Sequence, residues 1–192
     1  MNKTVLIFVF LVIASCNKEK KQLRQNDEQN KVYSDVLPIF LAANFLNVFP
    51  PPQDDETYDR YFKGQINIVI NDSTENISNE DKKEFLDSPE GPFRPSLSWF
   101  KNGKQIINFK LNSTKFLKKS ESDLDRLSEN EKFFCGKMDF SNVAFDINEQ
   151  FAVFSISYRR CDSRKSGNGY RVYVKKEKSK WKIKKVISTW HS

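Results

Sequence analysis

The last third of the chain has the most regular pattern in the sequence, with four stretches in which apolar and polar residues alternate. These stretches are Asp139–Phe145, Phe151–Arg159, Tyr170–Lys175 and Trp181–Ser188. Alternation with a period of two is typical of strands that bury one face. Strands joined by short turns pair in an antiparallel way, because parallel neighbours need a long crossover connection. The pattern therefore predicts an antiparallel β-meander.

Three further segments bear on the fold class. Ser34–Val48 places apolar side chains at three- and four-residue spacings, which predicts a helix with Pro38 in its first turn. Gln65–Asn71 alternates Ile with Asn and Val and predicts a strand. Ser113–Asn130 is rich in Lys, Glu, Ser and Asp, and we expect one helix or two broken helices there. The expected class is α+β, a meander packed on an N-terminal helix, in a single domain over residues 32–192.

Two of the three cysteines fall opposite each other in the predicted meander. The turn between Phe145 and Phe151 centres on Asn148, so residues that pair across this hairpin have numbers that add up to about 296. Cys135 and Cys161 satisfy this condition. Facing positions can bring Cβ atoms to the separation that a disulfide requires, and an oxidising compartment favours the bond. We therefore expect these two cysteines to be joined.

The N-terminus has the features of a secretory signal. Lys3 precedes an uninterrupted apolar run from Val5 to Ala14. A run of about ten residues is too short to span a bilayer as a helix, which needs about twenty, and matches the hydrophobic region of a signal peptide. The run ends in Ile13-Ala14-Ser15-Cys16, which resembles the lipobox of bacterial lipoproteins. An ordinary secretory signal followed by a chance cysteine is the alternative interpretation.

The lipobox resemblance implies that residues 1–15 are a signal peptide and that Cys16 becomes the first residue of the mature protein. Such a cysteine carries a diacylglycerol on its sulfur and commonly a further acyl chain, such as palmitate, on its amino group. Several acyl chains on one residue are enough for stable membrane anchoring. The polar segment that follows cannot bury enough apolar surface to fold, so residues 16–31 are predicted to be a flexible tether.

Two other stretches resemble lipoproteins of Bacteroidota. Lys18-Glu19 resembles their surface-export signal, although Lys20 stands where a second acid is usual. The runs FSNVAFDINEQFAVFSISYRRC and GNGYRVYVKKEKSKWKIKKVISTW are similar to the C-terminal half of small uncharacterised lipoproteins of that group. The closing hairpin is also similar to cystatin-like and NTF2-like cones. The resemblance implies a secreted domain in the cell envelope, held at the outer membrane and facing the periplasm or the cell surface; it implies no known activity.

The positive charge of the chain lies in its last segment. From Ile156 to Ser192 there are twelve Lys or Arg residues and two acids, whereas the rest of the chain has 20 basic and 23 acidic residues. A two-residue loop at Lys178-Ser179 is predicted to pair Val174 with Ile183 and Val172 with Lys185. One face of this hairpin would be buried and the other would present cations. We expect the following residues to contact an anionic envelope surface or an unknown protein, and we do not expect nucleic acid as a partner: Arg171, Lys182, Lys184 and Lys185.

The sequence contains no recognisable catalytic, cofactor-binding or metal-binding set. His191 is the only histidine and stands next to the end of the chain, so a Ser-His-Asp or Cys-His pair and a zinc site lack their usual residues. We therefore expect a non-enzymatic domain that binds a ligand or a protein partner. Two alternatives are a small enzyme on an NTF2-like cone and an inhibitor or immunity-type protein that acts on a secreted enzyme.

Overall fold

The secondary structure comes from a computed structural model that describes residues 23–44, 65–77, 105–128, 131–132, 135–161 and 167–191. These ranges include a helix, α1, over residues 23–44 and a 3-10 helix at Glu121–Arg126. They also contain β1 Ile66–Ile70, β2 Phe116–Ser120, β3 Cys135–Phe140, β4 Ala144–Phe145, β5 Phe151–Arg160, β6 Gly167–Glu177 and β7 Lys180–His191. The predicted signal peptide, residues 1–15, and Cys16 lie outside the described residues.

The strands form one sheet in the order β2-β1-β3-β5-β6-β7, and β4 pairs with β5 beside the end of β3. Pairing is antiparallel from β3 to β7, whereas β1 is parallel to both β2 and β3. The four C-terminal strands predicted from the sequence are confirmed, with the first of them divided into β3 and β4. A mostly antiparallel sheet together with an N-terminal helix is an α+β fold, as predicted.

Helix α1 packs its apolar side chains against one face of the sheet. Its buried side chains recur every three or four residues, as a helix with one buried face requires: Val32, Tyr33, Val36, Leu37, Phe40 and Leu41. The Tyr33 ring lies 5.0 Å from that of Phe140 and 5.4 Å from that of Phe154. Its hydroxyl donates to the carbonyl of Ser141 at 2.7 Å, so this buried polar group is satisfied. The core of the domain lies between α1 and the sheet.

Helix α1 corrects the predicted tether. Residues 23–31 are helical, and Gln29 and Asn30 are buried. The Gln29 side-chain oxygen accepts from the amide of Val143 at 2.8 Å, and the Asn30 oxygen accepts from the amide of Asn108 at 2.8 Å. Polar residues here bind the backbone of neighbouring segments, which is a role that their composition does not reveal.

The longer helix also changes the position of Pro38. The sequence predicts Pro38 in the first turn, but fifteen helical residues precede it in α1, so that prediction is wrong. An interior proline removes one helical hydrogen bond and costs about 3 kcal/mol. Burial of Leu37 and Phe40 on the same helix, each worth about 1.5–3 kcal/mol, offsets this cost.

The segment predicted as surface helix, Ser113–Asn130, instead begins with a strand. Phe116–Ser120 forms β2 and pairs in register with β1, with Phe116 buried opposite Ile66. The 3-10 helix follows, and Ser120 precedes it and donates its amide and its hydroxyl to Asp123 Oδ2 at 3.0 and 2.8 Å. β1 is confirmed as a strand but is buried along its whole length, because α1 covers one face and the segment after β2 covers the other.

Candidate functional site

The hairpin of β6 and β7 turns through Lys178 and Ser179, with Glu177 paired to Lys180. Lys178 has a φ of 58°, the left-handed conformation that a two-residue hairpin turn requires. Val174 pairs with Ile183, as predicted. This register fixes the faces on which the first residues of β7 lie.

The register then shifts by one residue at a β-bulge between Tyr173 and Val174. Val172 consequently pairs with Val186, and the predicted pair of Val172 with Lys185 is wrong. The bulge lets β7 keep Ile183 and Val186 on the side of the core, although they are three residues apart. Lys184 and Lys185 are therefore both exposed, although they are adjacent in sequence.

Beyond the turn residues, the side of the hairpin opposite α1 carries four lysines, which we call the lysine face: Lys175, Lys182, Lys184 and Lys185. Lys175 pairs with Lys182, and its ammonium group lies 5.4 Å from the centre of the Phe151 ring. Arg171 is on the same side of β6 but is only 6% exposed. Of the four residues predicted to contact anions, Lys182, Lys184 and Lys185 are exposed, whereas Arg171 is buried, so its predicted exposure is wrong.

One carboxylate lies between two of these lysines. Glu177 forms an ion pair with each of them: one carboxylate oxygen lies 2.8 Å from Nζ of Lys182, and the other lies 2.8 Å from Nζ of Lys184. Hydrogen bonds from Lys182 and Lys184, followed by their charges, lower the pKa of Glu177 to about 2. Glu177 is therefore ionised throughout the physiological pH range, and it offsets one of the positive charges on the lysine face.

The other side of the hairpin is joined to α1 by a partly buried polar cluster around Trp181, which is itself 1% exposed. The Trp181 backbone amide donates to Asp35 at 2.9 Å, and its indole Nε1 donates to Glu28 Oε1 at 3.0 Å. The same Glu28 oxygen lies 2.5 Å from Nζ of Lys176. Because Glu28 and Asp35 are two turns apart on one side of α1, they fix the hairpin along the helix axis.

The opposite end of the sheet contains the predicted cysteine pair. Cys135 and Cys161 are bonded, with their Cα atoms 5.3 Å apart, so this prediction is confirmed. Gly136 pairs with Arg160, which is the predicted register, but Phe145 pairs with Ala152, one residue away from it. The difference is absorbed between β3 and β4, where residues 141–143 face only two residues of β5.

A second charged group lies near this end of the sheet. Asp139 is 2% exposed and accepts from Arg159 Nη2 at 2.8 Å and from Asn71 Nδ2 at 2.8 Å. The hydrogen bond that Arg159 donates to Asp139 raises the pKa of Arg159, although burial acts in the opposite direction. Both oxygens of this buried carboxylate are thus occupied by structural partners, as a stable buried charge requires.

Trp190 lies beside this group and is 41% exposed. Its indole covers the backbone of Gly167 and Gly169, and a Cβ atom added to Gly169 would lie 2.0 Å from its Nε1. The two glycines therefore provide the flat surface on which Trp190 rests. No pattern in the sequence pairs Trp190 with these glycines, because a second bulge between Gly169 and Tyr170 sets their register.

Metal-binding and membrane-spanning features can be assessed for the described parts of the chain. Within those ranges, no group of three or more His, Cys, Asp or Glu side chains is placed to hold a metal ion. None of the described helices is long and apolar enough to cross a membrane. Comparisons with protein-family models, with curated proteins and with solved structures find no match to this chain.

Proposed function

We propose that this chain is a bacterial lipoprotein held in the cell envelope by lipid on Cys16, with a folded part that binds a partner or ligand without catalysing a reaction. The lipobox-like residues Ile13-Ala14-Ser15-Cys16, directly after an apolar run, support the anchor. The proposed place is the outer membrane, on its periplasmic or its surface-exposed side. The disulfide between Cys135 and Cys161 agrees with an exported domain, because such bonds persist in oxidising compartments.

The engagement of the buried and ion-paired carboxylates supports a binding role over an enzymatic one. Glu28, Asp139 and Glu177 each accept from two side-chain groups of the domain. Asp146 is buried and accepts from the amides of Gln150 and Phe151, which fixes the turn before β5. A general acid or base needs a carboxyl group that can reach a substrate, and these four are committed to the fold.

The observation that carries the proposal is the lysine face. Exposed lysines cluster on one side of a rigid hairpin whose other side is buried against α1. Such a surface attracts anionic groups, at about 1 kcal/mol for each Lys near an anionic membrane. We propose that it contacts an anionic envelope surface, such as lipid phosphates or acidic glycans, or an acidic face of a protein partner.

The anchor is tested by replacing its cysteine. Cys16→Ala should abolish metabolic labelling with a palmitate analogue and should release the protein from membranes or leave its signal peptide uncleaved. Cys135→Ala/Cys161→Ala is the matched control, since it also replaces cysteines but should keep the label. Equal labelling of the wild type and Cys16→Ala would disprove lipidation at this position.

The lysine face is tested with a soluble chain that begins at Asn17, directly after the proposed lipid site, because α1 includes residues 23–31. This protein should bind vesicles rich in anionic lipid at low salt and dissociate as salt rises. Replacing Lys182, Lys184 and Lys185 by Glu should weaken the binding without unfolding the domain. Replacing Lys110, Arg126 and Lys132 by Glu changes the net charge by the same amount outside the lysine face, and this variant should retain most of the vesicle binding. Binding that is absent at low salt, or equal in both triple variants, would contradict the proposal.

For the finer fold we propose a cystatin-like or NTF2-like cone. The support is a long N-terminal helix packed across a mostly antiparallel sheet, with bulges that allow its last strands to bend. An experimentally determined structure of the mature domain would test this assignment through the curvature of the sheet.

A further inference from the structure

Three segments meet at one end of the domain, which we call the anchor-side end: the start of α1, the turn after β4 and the turn of the last hairpin. Arg24 pairs with Glu149 in the turn after β4 at 3.4 Å. The amide of Lys176 donates to the carbonyl of Gln150 at 2.8 Å, which places that turn beside the hairpin. Lys176 also pairs with Glu28, one helical turn after Arg24.

Helix α1 runs from this end toward the opposite end of the sheet. Glu28 contacts Lys176 of β6, whereas the Phe40 ring lies 5.2 Å from that of Tyr170 on the same strand. The 22 helical residues, 23–44, span about 33 Å at 1.5 Å per residue. The first described residue, Leu23, is therefore separated from the far end of α1 by about that length.

The number of residues between the lipid site and α1 limits which part of the domain can reach the membrane. Leu23 follows Cys16 by seven residues, which span at most about 25 Å when fully extended. That is shorter than α1. If Cys16 is lipidated, Leu23 stays within about 25 Å of the bilayer surface. An orientation in which α1 is perpendicular to the bilayer, with its far end against the lipid, would place Leu23 about 33 Å away and is therefore excluded.

The anchor-side end has the composition of a surface that contacts lipid headgroups. Leu23 and Ile147 are 65% and 67% exposed, and both are apolar. Lys178 and Lys180 are exposed at the hairpin turn and form no ion pair with any residue in the described ranges. The charged residues at this end that are exposed or paired comprise more cations than carboxylates: Arg24, Lys176, Lys178, Lys180, Lys182 and Lys184 against Asp27, Glu28, Glu149 and Glu177.

We propose that the anchor-side end docks on the anionic lipid headgroups of the membrane that holds Cys16, with Leu23 and Ile147 at the interface and Lys178 and Lys180 against lipid phosphates. This inference rests on the lipid anchor proposed above. Lys185 is five residues from Lys180 and thus about 17 Å farther along β7. That distance exceeds the Debye length of about 8 Å at physiological salt. Docking in this orientation leaves the part of the lysine face around Lys185 available to another partner.

The orientation can be tested without relying on lipidation in cells. In a chain produced without lipidation Cys16 supplies the thiol for coupling, because Cys135 and Cys161 are bonded to each other. The mature chain can therefore be coupled through Cys16 to maleimide-bearing lipid in vesicles that contain brominated lipid, which quenches tryptophan within the bilayer. A tryptophan introduced by Ile147→Trp should be quenched in vesicles of phosphatidylglycerol and much less in vesicles of phosphatidylcholine. A tryptophan introduced by Ile39→Trp, at a site 51% exposed on the distant part of α1, should not be quenched in either.

The contribution of the lysines is tested in the same vesicles. Lys178→Glu/Lys180→Glu should reduce the quenching at position 147 at least fivefold, whereas Lys110→Glu/Arg126→Glu changes the net charge equally and should leave it unchanged. Raising the salt concentration should reduce the quenching in the chain with native lysines, which provides a test that does not depend on the folding of any charge variant. Equal quenching at positions 39 and 147, or quenching indifferent to salt and lipid charge, would overturn the orientation. Such a result would leave the anchor itself unaffected, since Cys16→Ala labelling tests the anchor separately.

Discussion

Glu28 provides the sharpest test of how α1 is held, because its carboxylate is bound by two groups of the hairpin. Glu28→Ala leaves the indole N–H of the buried Trp181 without its acceptor, which costs about 1–3 kcal/mol. It also removes the ion pair between Glu28 and Lys176. Because both side chains are 21% exposed, the loss of this pair costs up to about 1 kcal/mol. We expect the free energy of unfolding to fall by about 1–4 kcal/mol in urea denaturation of the mature chain.

Glu28→Gln is the matched control for this prediction. Its amide oxygen can still accept from Trp181, so it should lose only the ion pair and about 1 kcal/mol or less. Hydrogen exchange should show the amides of residues 23–31 losing protection in the alanine variant more than in the glutamine variant. A loss below about 0.5 kcal/mol for alanine, or equal losses for both variants, would refute the assigned role of Glu28.

The pH dependence gives an independent check on Glu28. Burial raises its pKa, but hydrogen bonds from Lys176 and Trp181 and the charge of Lys176 outweigh it and hold the pKa below the usual 4.5. A carboxyl group whose pKa is lowered by folding adds stability above its unfolded pKa and loses it as the pH falls through the folded value. The stability difference between the wild type and Glu28→Gln should therefore narrow below about pH 4.5.

Three other predictions concern the disulfide, the lysine face and the glycine surface. Cys135→Ala/Cys161→Ala should lower the free energy of unfolding by about 3.5 kcal/mol in chemical denaturation, from the entropy of the loop that the bond closes; a loss under about 1 kcal/mol would contradict this. Glu177→Gln should tighten binding to anionic vesicles about fivefold at low salt, because one negative charge leaves the lysine face; unchanged binding would count against the face. Gly169→Ala should displace the indole of Trp190, red-shift the tryptophan fluorescence and cost about 1–3 kcal/mol in thermal unfolding; an unchanged emission spectrum would contradict the contact.

The sequence predicted the parts of the fold that depend on local pattern. Alternation identified β5, β6 and β7, and the spacing of the turn brought Cys135 opposite Cys161. The β-bulges were not predictable, since a single extra residue on one strand leaves no mark in an alternating sequence. The burial of Arg171 was not predictable either. Its charge favours an exposed position, but the residues packed around a position decide its burial.

The segments that the sequence misassigned are those that tertiary contacts stabilise. Residues 23–31 have the composition of a tether, and they are helical because Glu28, Gln29 and Asn30 bind distant parts of the chain. β2 lacks the alternation of a buried strand and is held by its parallel pairing with β1. Long-range partners of this kind cannot be read from spacing within a single segment.

The position of β7 gives its lysines a further consequence for the protein. Among the described strands β7 is outermost, and its twelve residues make it the longest of them. An outer strand of this length presents unpaired backbone groups with which a strand of another copy could pair. Charged side chains and register irregularities both oppose such pairing, and β7 has exposed Lys182, Lys184 and Lys185 together with two bulges against β6. The exposed lysines of β7 and its bulges therefore oppose edge-to-edge pairing between copies of this domain.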